Sequence, residues 1–305
     1  MVEGAEDALS DVLRLIRLNG CVYFQSSFCA PWGMAVDAGT VAQFHMVVRG
    51  QGWLRWTGGE TLLSSGDVVV FPRGDGHALS DQPDGATMPG RAVLEALQGD
   101  GQPFAGGGAA TTLLCGHFEF DRNLRHPLIE ELPPLIHVRS LDWGQPGWFD
   151  AVSSLLVRET GAPGPGAESV VDRLAEVLLI QVMRAHLAER RPTPGFLAAL
   201  TDRQISRALR VIHRHGDGVL TLASLAQRVG MSRSSLASRF KTVLGEPPMT
   251  YLARWRMLKA WDELKSTGRT VADIAETVGY GSEAAFSRAF KRVFDVNPSA
   301  VRRSR

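Results

Sequence analysis

The chain has 305 residues, with 33 Lys plus Arg against 32 Asp plus Glu, 44% apolar residues and three cysteines. At roughly 100 to 200 residues per domain this predicts two domains with separate cores, and so few cysteines exclude a disulfide-stapled miniprotein. An odd count of thiols fits a reducing compartment, the start MVEGAEDALSDVL is acidic where a signal peptide is basic, and the longest apolar run, Val177 to Val182 broken by Gln181, is too short to span a bilayer, so the expectation is a cytoplasmic protein with no membrane segment.

The net charge of +1 conceals a cancellation. Divided at the Pro/Gly-containing stretch Arg190 to Gly195, the chain from Arg203 onward carries 19 Lys plus Arg and 8 Asp plus Glu, net +11, whereas Met1 to Asp202 carries 14 and 24, net −10. A basic third joined to an acidic two-thirds is the asymmetry of a nucleic-acid-binding module fused to another domain.

In chain order, Leu9, Val12, Leu13 and Ile16 predict a short amphipathic helix within Ala5 to Leu18. From Gly20 to about Asp121, short apolar or alternating runs separated by glycine (Val41 to Val48, Gly52 to Trp56, Asp67 to Phe71, Thr111 to Phe120) predict antiparallel β-structure in a small barrel or sandwich. Within it, Pro83 to Gly108 reads as a loop broken by one helix at Arg91 to Leu97. Helical signals take over after Pro133-Pro134, and the longest, Glu168 to Arg190, has an apolar stripe of Val171, Leu174, Val177, Leu178, Val182 and Leu187 that suits either its own domain or a dimer contact.

The basic third repeats itself. Leu225-Ala226-Gln227-Arg228-Val229-Gly230 recurs as Ile274-Ala275-Glu276-Thr277-Val278-Gly279, Phe240-Lys241-x-Val243 recurs as Phe290-Lys291-x-Val293, and Pro248 recurs as Pro298. Each copy reads as helix, tight turn, helix. Ala226 is small enough for a crossing helix, Gly230 permits a positive φ, and Ser232 can cap the second helix. Leu236 and Phe240 anchor that helix, leaving Arg233, Ser234, Ser238 and Lys241 outward; in the second copy Phe286 and Phe290 are the anchors, leaving Ala284, Arg288, Lys291 and Arg292 outward. Such faces fit a major groove about 12 Å wide. Arg288 is the candidate base contact, Lys241, Lys291 and Arg292 are candidate phosphate contacts, and Ser234 and Ser238 suit either role.

This region resembles the DNA-binding domain of the AraC/XylS transcription regulators: Gly279-Tyr280, the run Phe286-Ser287-Arg288-Ala289-Phe290-Lys291-Arg292, and Asn297-Pro298 follow the family signature nearly in order. Asp295 departs from the usual glycine after the second recognition helix, and Ala300-Val301-Arg302 stands where a Tyr-Arg pair is common. The resemblance implies two helix-turn-helix units joined by a long helix, about Met249 to Lys265, with recognition helices in successive major grooves about 34 Å apart.

The run Gly66-x5-Pro72-x-Gly74-x2-His77-x3-Asp81, preceded by Arg49-Gly50-Gln51-Gly52, is similar to the second cupin motif as found in AraC-type N-terminal cupin domains. The first cupin motif is reduced to His45, so the three-His-one-Glu metal set of a cupin dioxygenase is missing and the expectation is a protein that is not an enzyme. The expected fold is α+β: a cupin β-barrel sensor over residues 1–140, a helical linker and possible dimerisation region over 141–200, and an all-α DNA-binding domain over 201–305.

His45, His77, Cys115 and His117 are together a candidate soft-metal set, for zinc or another transition metal, or else polar lining of an organic-ligand pocket. Cys21 and Cys115 are candidate redox thiols, although no basic residue flanks Cys21 or Cys29 to lower a thiol pKa. The implied partners are double-stranded DNA, a small-molecule effector, a second copy of the chain and RNA polymerase. The rival reading is a metal-dependent cupin enzyme with a secondary DNA-binding domain.

Overall fold

The computed structural model describes residues 7–16, 19–99, 101–121, 124, 126–143, 147–189, 194–215 and 219–303. Residues 190–193 of the expected boundary stretch lie outside these. Two compact units emerge, one formed by residues 18–120 and 132–190, the other by 1–17, 121–131 and 191–305.

The first unit is built on two five-stranded sheets. One has the order β1 (Asn19–Cys29), β9 (Ala110–Glu119), β3 (Ala42–Arg49), β6 (Val68–Phe71), β10 (Ile136–Val138); the other has β5 (Gly59–Ser64), β4 (Gln51–Trp56), β7 (His77–Ser80), β2 (Gly33–Val36), β8 (Met88–Pro89). All pairings are antiparallel except β2 with β8. The Val-Val-Val-Phe run of β6 is buried along its whole length, as expected of a β-branched inner strand. Phe28, Met34, Leu54, Leu63, Val69, Phe71, Leu79 and Leu113 form the core, drawn from both sheets.

The turn before β6 is held by Asp67, whose carboxylate accepts from the Ser64 N–H (3.1 Å), the Ser140 N–H (2.8 Å) and His137 Nε2 (3.1 Å). The expected helix at Arg91 to Leu97 is α2 (Gly90–Gln98). After α3 (Pro127–Glu130), the expected long helix is α5 (Ala167–Glu189), which packs on α4 (Trp148–Gly161) and on β1. Gly20 permits that approach, since a Cβ there would lie 2.6 Å from the Ala175 Cβ. Val171, Leu178 and Val182 of the stripe are buried, and Val177 is exposed.

The second unit contains α6 (Phe196–Thr201), α7 (Arg203–His215), α8 (Leu222–Val229), α9 (Arg233–Leu244), α10 (Pro248–Ser266), α11 (Val271–Thr277), α12 (Glu283–Phe294) and α13 (Pro298–Arg303). It also takes in α1 (Ala8–Ile16) and residues 121–131, which the sequence reading assigned to the cupin-like domain. Buried Leu9, Val12, Leu15 and Ile16 line one face of α1, which packs on α7 and α10. His213 donates from Nδ1 to the Asp11 carboxylate (3.2 Å) and accepts at Nε2 from the Tyr251 hydroxyl (2.8 Å). Asp121 accepts from Trp261 Nε1 and Lys265 Nζ, both at 2.8 Å, and Glu131 accepts from the first N–H of α6, on Phe196, at 2.6 Å.

The repeat folds as two matching turns. Gly230 (φ +72°) and Gly279 (φ +80°) are left-handed, and the Met231 N–H reaches the Ala226 carbonyl (2.9 Å) as the Tyr280 N–H reaches the Ala275 carbonyl (2.8 Å). These are glycine-led C-terminal caps. Ser232 and Ser282 cap α9 and α12, accepting from the Ser235 and Ala285 N–H groups. The helix after the second turn ends as the first does, with the residue at the glycine position in the left-handed region: Gly245 (φ +89°) after α9 and Asp295 (φ +59°) after α12.

Two stability predictions follow from this packing. Because a side chain in the left-handed region costs about 1 kcal/mol relative to glycine, Asp295→Gly is expected to stabilise the helical unit by about 0.5–1 kcal/mol in chemical denaturation. Val12 is fully buried, so Val12→Ala is expected to cost about 1–2.5 kcal/mol, and calorimetry should place that loss in the transition of the helical unit; a loss confined to the β-rich unit would contradict the placement of α1.

Candidate functional site

The first site lies on α9 and α12. Leu236 and Phe240 on α9, and Phe286 and Phe290 on α12, are fully buried. Arg233, Ser234, Ser238 and Lys241 on the first helix and Ala284, Arg288, Lys291 and Arg292 on the second are all exposed. Each expected DNA-facing residue is therefore on a solvent-facing surface, and the side chains opposite them hold the helices in place. Phe240 meets Tyr251 edge-on with ring centroids 5.9 Å apart, and Phe290 stacks on Trp261 at 5.9 Å.

Sequence reasoning passed over Arg239. Its guanidinium forks onto Asp202 through Nε (3.1 Å) and Nη2 (2.8 Å), while the other Asp202 oxygen accepts from the Gln204 and Ile205 N–H groups at the start of α7. Arg239 thus ties the recognition helix α9 to the start of α7. Helical spacing gives no signal for that role, because the partner lies 37 residues away.

The second site is a cavity of about 240 Å³ in the β-rich unit, bounded by Phe24, Met34, Val36, Gln43, His45, Leu94 and Cys115, among others. Strand pairing explains its floor: His45 on β3 lies opposite Cys115 on β9, and Gln43, two residues along on the same face of β3, lies opposite His117. His45 Nδ1 is 2.9 Å from Cys115 Sγ, and His45 Nε2 is 2.7 Å from His77 Nε2. His77 Nδ1 is 2.8 Å from the Asp75 carbonyl oxygen, and its ring stacks on Phe71 at 3.8 Å.

One backbone oxygen sets the direction of this chain. The Asp75 carbonyl can only accept, so His77 carries its proton on Nδ1 and offers a lone pair at Nε2. His45 must then donate from Nε2 and accept at Nδ1, which leaves the Cys115 thiol as the donor to His45. Burial enforces the neutral forms: it holds His45 well below the ordinary histidine range, with His77 adding to the effect, lowers His77 to about 4, and pushes the Cys115 thiol well up.

The four-ligand set expected from sequence does not assemble. His117 stacks on Tyr23 (4.8 Å) and pairs with Glu119 (3.2 Å), away from the other three. Of those three, His45 turns one nitrogen to Cys115 and the other to His77, so they do not converge on a common point. Among the described residues, no group of three or more His, Cys, Asp or Glu is placed to hold a metal ion. The donors therefore do not fit a zinc site. Cys21 is half-buried, and burial followed by the Asp172, Glu119 and Glu168 carboxylates pushes its thiol up.

Comparison with known proteins agrees with both halves. A family model described as Cupin matches residues 7–188, and one described as Helix-turn-helix domain matches 225–304. A putative AraC-like transcription regulator from Streptomyces lividans is 34% identical over 97% of this chain and 98% of its own length.

The chain belongs to the AraC-like transcription regulators.

The HTH-type transcriptional regulator AlkR from Acinetobacter baylyi is 29% identical over 97% of this chain and 99% of its own. Among solved structures, the DNA-binding domain of AdpA in complex with a target DNA aligns with 34% of this chain and 93% of its own, at 26% identity and a TM-score of 0.32. As an AraC-like regulator the protein pairs a DNA-binding helix-turn-helix region with a cupin sensor domain. No described helix is long and apolar enough to cross a membrane.

The neutral chain gives this regulator a pH dependence with a definite sign. The unfolded chain binds a proton at His77 near pH 6.5, and the folded chain does so only near pH 4. Stability is then intact above pH 6.5 and declines as pH falls, by about 3 kcal/mol from His77 alone on reaching pH 4. Unfolding titrations between pH 7 and 4 should show this decline and His77→Asn should make it shallower by His77's share, while imidazole NMR should show His77 neutral at pH 5.5.

Proposed function

We propose that this regulator reads an extended, asymmetric DNA site through both recognition helices, with Arg288 contacting a base, Lys241, Lys291 and Arg292 holding phosphates, and Arg233, Ser234, Ser238 and Ala284 completing the two faces. The observation that carries the reading is the pair of matching, glycine-capped turns, each followed by a buried aromatic anchor and an exposed polar face. An exposed arginine in the second turn of a recognition helix can make paired hydrogen bonds to guanine, whereas lysines near its end neutralise phosphates without reading sequence.

The cupin cavity, in this reading, binds a small and largely apolar effector without catalytic turnover. Phe24, Met34, Val36 and Leu94 offer apolar walls, and Gln43 and His45 offer hydrogen bonds. The metal-enzyme alternative is disfavoured by the arrangement of His45 between two partners. The regulator acts as a homodimer that meets RNA polymerase at its promoter, and Leu155, Val170 and Val177, exposed on α4 and α5, are the surface we assign to the second copy.

Selection of bound DNA from a random pool, followed by titration of single-base variants, tests the DNA assignment. Arg288→Ala should cost about 1–3 kcal/mol and relax preference at one base position. Lys291→Ala should weaken binding evenly across sequences and reduce the dependence on salt. Uniform weakening by Arg288→Ala, with no position relaxed, would sink the base-contact role.

A further inference from the structure

The cavity floor holds a nucleophile, a base and a hydrogen-bond donor in register. Cys115 and His45 face each other across β9 and β3, with Sγ 2.9 Å from Nδ1, and both border the cavity. Gln43, 9% exposed, shares the His45 face two residues along and borders the same cavity. The chain beyond His45 is closed by His77 and the Asp75 carbonyl, so Nδ1 is the one His45 nitrogen free to take up a proton, and it is the nitrogen that faces sulfur.

A resting thiol is a weak nucleophile, and an adjacent base is the usual remedy. His45 supplies one. When it accepts the thiol proton, its Nε2–H remains donated to His77, whose Nδ1–H remains donated to the Asp75 carbonyl, and the new imidazolium sits against the thiolate it has produced. The S–H bond gives way to a new N–H bond, and neither of the other two hydrogen bonds in the chain has to break.

We propose that Cys115 is a sensing thiol activated by His45, and that the effector class is a small α,β-unsaturated carbonyl compound that adds covalently to it. Resting on the effector reading above, this proposal specifies its chemistry. Sγ forms a bond to the β-carbon as its proton passes to His45 Nδ1, and the C=C π pair shifts to give an enolate whose oxygen accepts from the Gln43 amide. The α-carbon then takes the proton back from His45 Nδ1. The net change is addition of S–H across the C=C bond, with no oxidant, reductant or leaving group. Phe24, Met34 and Leu94 enclose the carbon skeleton.

The full-length protein treated with 2-cyclohexen-1-one, followed by intact-mass and peptide mapping, tests this. Cys115 should gain one adduct at least tenfold faster than Cys21 or Cys29, and saturated cyclohexanone in excess should slow the reaction by competing for the cavity. His45→Gln should slow addition roughly 100-fold, the scale of a lost general base. Cys21→Ser/Cys29→Ser, which leaves the cavity floor intact, should still take the single adduct and so tests the site even if His45→Gln unfolds.

The adduct should change affinity for the selected DNA at least fivefold. Modification of Cys21 or Cys29 with Cys115 untouched, an unchanged rate in folded His45→Gln, or an adduct that leaves DNA affinity within twofold would each overturn the proposal. Failure of the untreated protein to bind any selected DNA would instead count against the regulator reading.

Discussion

Both helix-turn-helix units hang on a single helix, α10. Phe240 of the first recognition helix packs on Tyr251, near one end, and Phe290 of the second packs on Trp261, ten residues on. Ten residues of α-helix correspond to a rise of about 15 Å and nearly three turns, so the separation and relative rotation of the two reading faces are set by one rigid element. The same helix receives the remaining pieces of its unit. Tyr251 closes the hydrogen bonds from Asp11 through His213, Trp255 stacks on His213 at 3.7 Å, and Trp261 and Lys265 share Asp121. α10 gives both helix-turn-helix units a floor, and it helps to seat α1 and Asp121.

That arrangement changes the meaning of the charge segregation along the chain. Division near residue 203 assigns Asp11, Asp121 and Glu131 to the acidic part, yet each spends its carboxylate on donors of the helical unit: a buried histidine, a tryptophan with a lysine, and the free N–H of a helix start. These acids do more than dilute a basic surface. They satisfy polar groups whose burial would otherwise cost about 1–3 kcal/mol each. The chain enters the β-rich unit after α1 and leaves it at Asp121, through β1 and β9, which are paired side by side and together carry Phe24 and Cys115 of the cavity. Covalent continuity therefore joins the cavity wall to both segments that α10 holds.

What was legible in the sequence was what is local. Gly230 and its repeat Gly279, the cap Ser232, and the anchor pairs Leu236/Phe240 and Phe286/Phe290 all act within about ten residues, so spacing alone located them. Asp295 was legible as a departure, and the structure shows it adopting the glycine's left-handed conformation. Contacts over long sequence separations were not legible: Asp11 with His213 spans 202 residues and Asp121 with Lys265 spans 144. Cys115 and His117, two residues apart on β9, lie on one side of the strand, but sharing a face is not sharing a centre. His117 is one step further along the sheet, opposite Gln43, where Tyr23 and Glu119 occupy it.

The two sites solve opposite electrostatic problems. A DNA-reading surface needs charge held in water, because its binding energy comes largely from releasing counterions around phosphates. The cavity floor is buried, and there a charge is expensive unless paired. Cys115, His45 and His77 meet that constraint by each donating one proton down the line and remaining neutral, with a backbone carbonyl as the last acceptor. A chain ordered in this way has one rearrangement that leaves its other hydrogen bonds in place, transfer of the thiol proton to His45. It creates a thiolate and an imidazolium that neutralise each other at short range and leave the net charge of the cavity unchanged. Burial alone would make Cys115 inert. The same burial, with His45 fixed in one tautomer beside it, keeps the thiol protonated until a reacting partner enters.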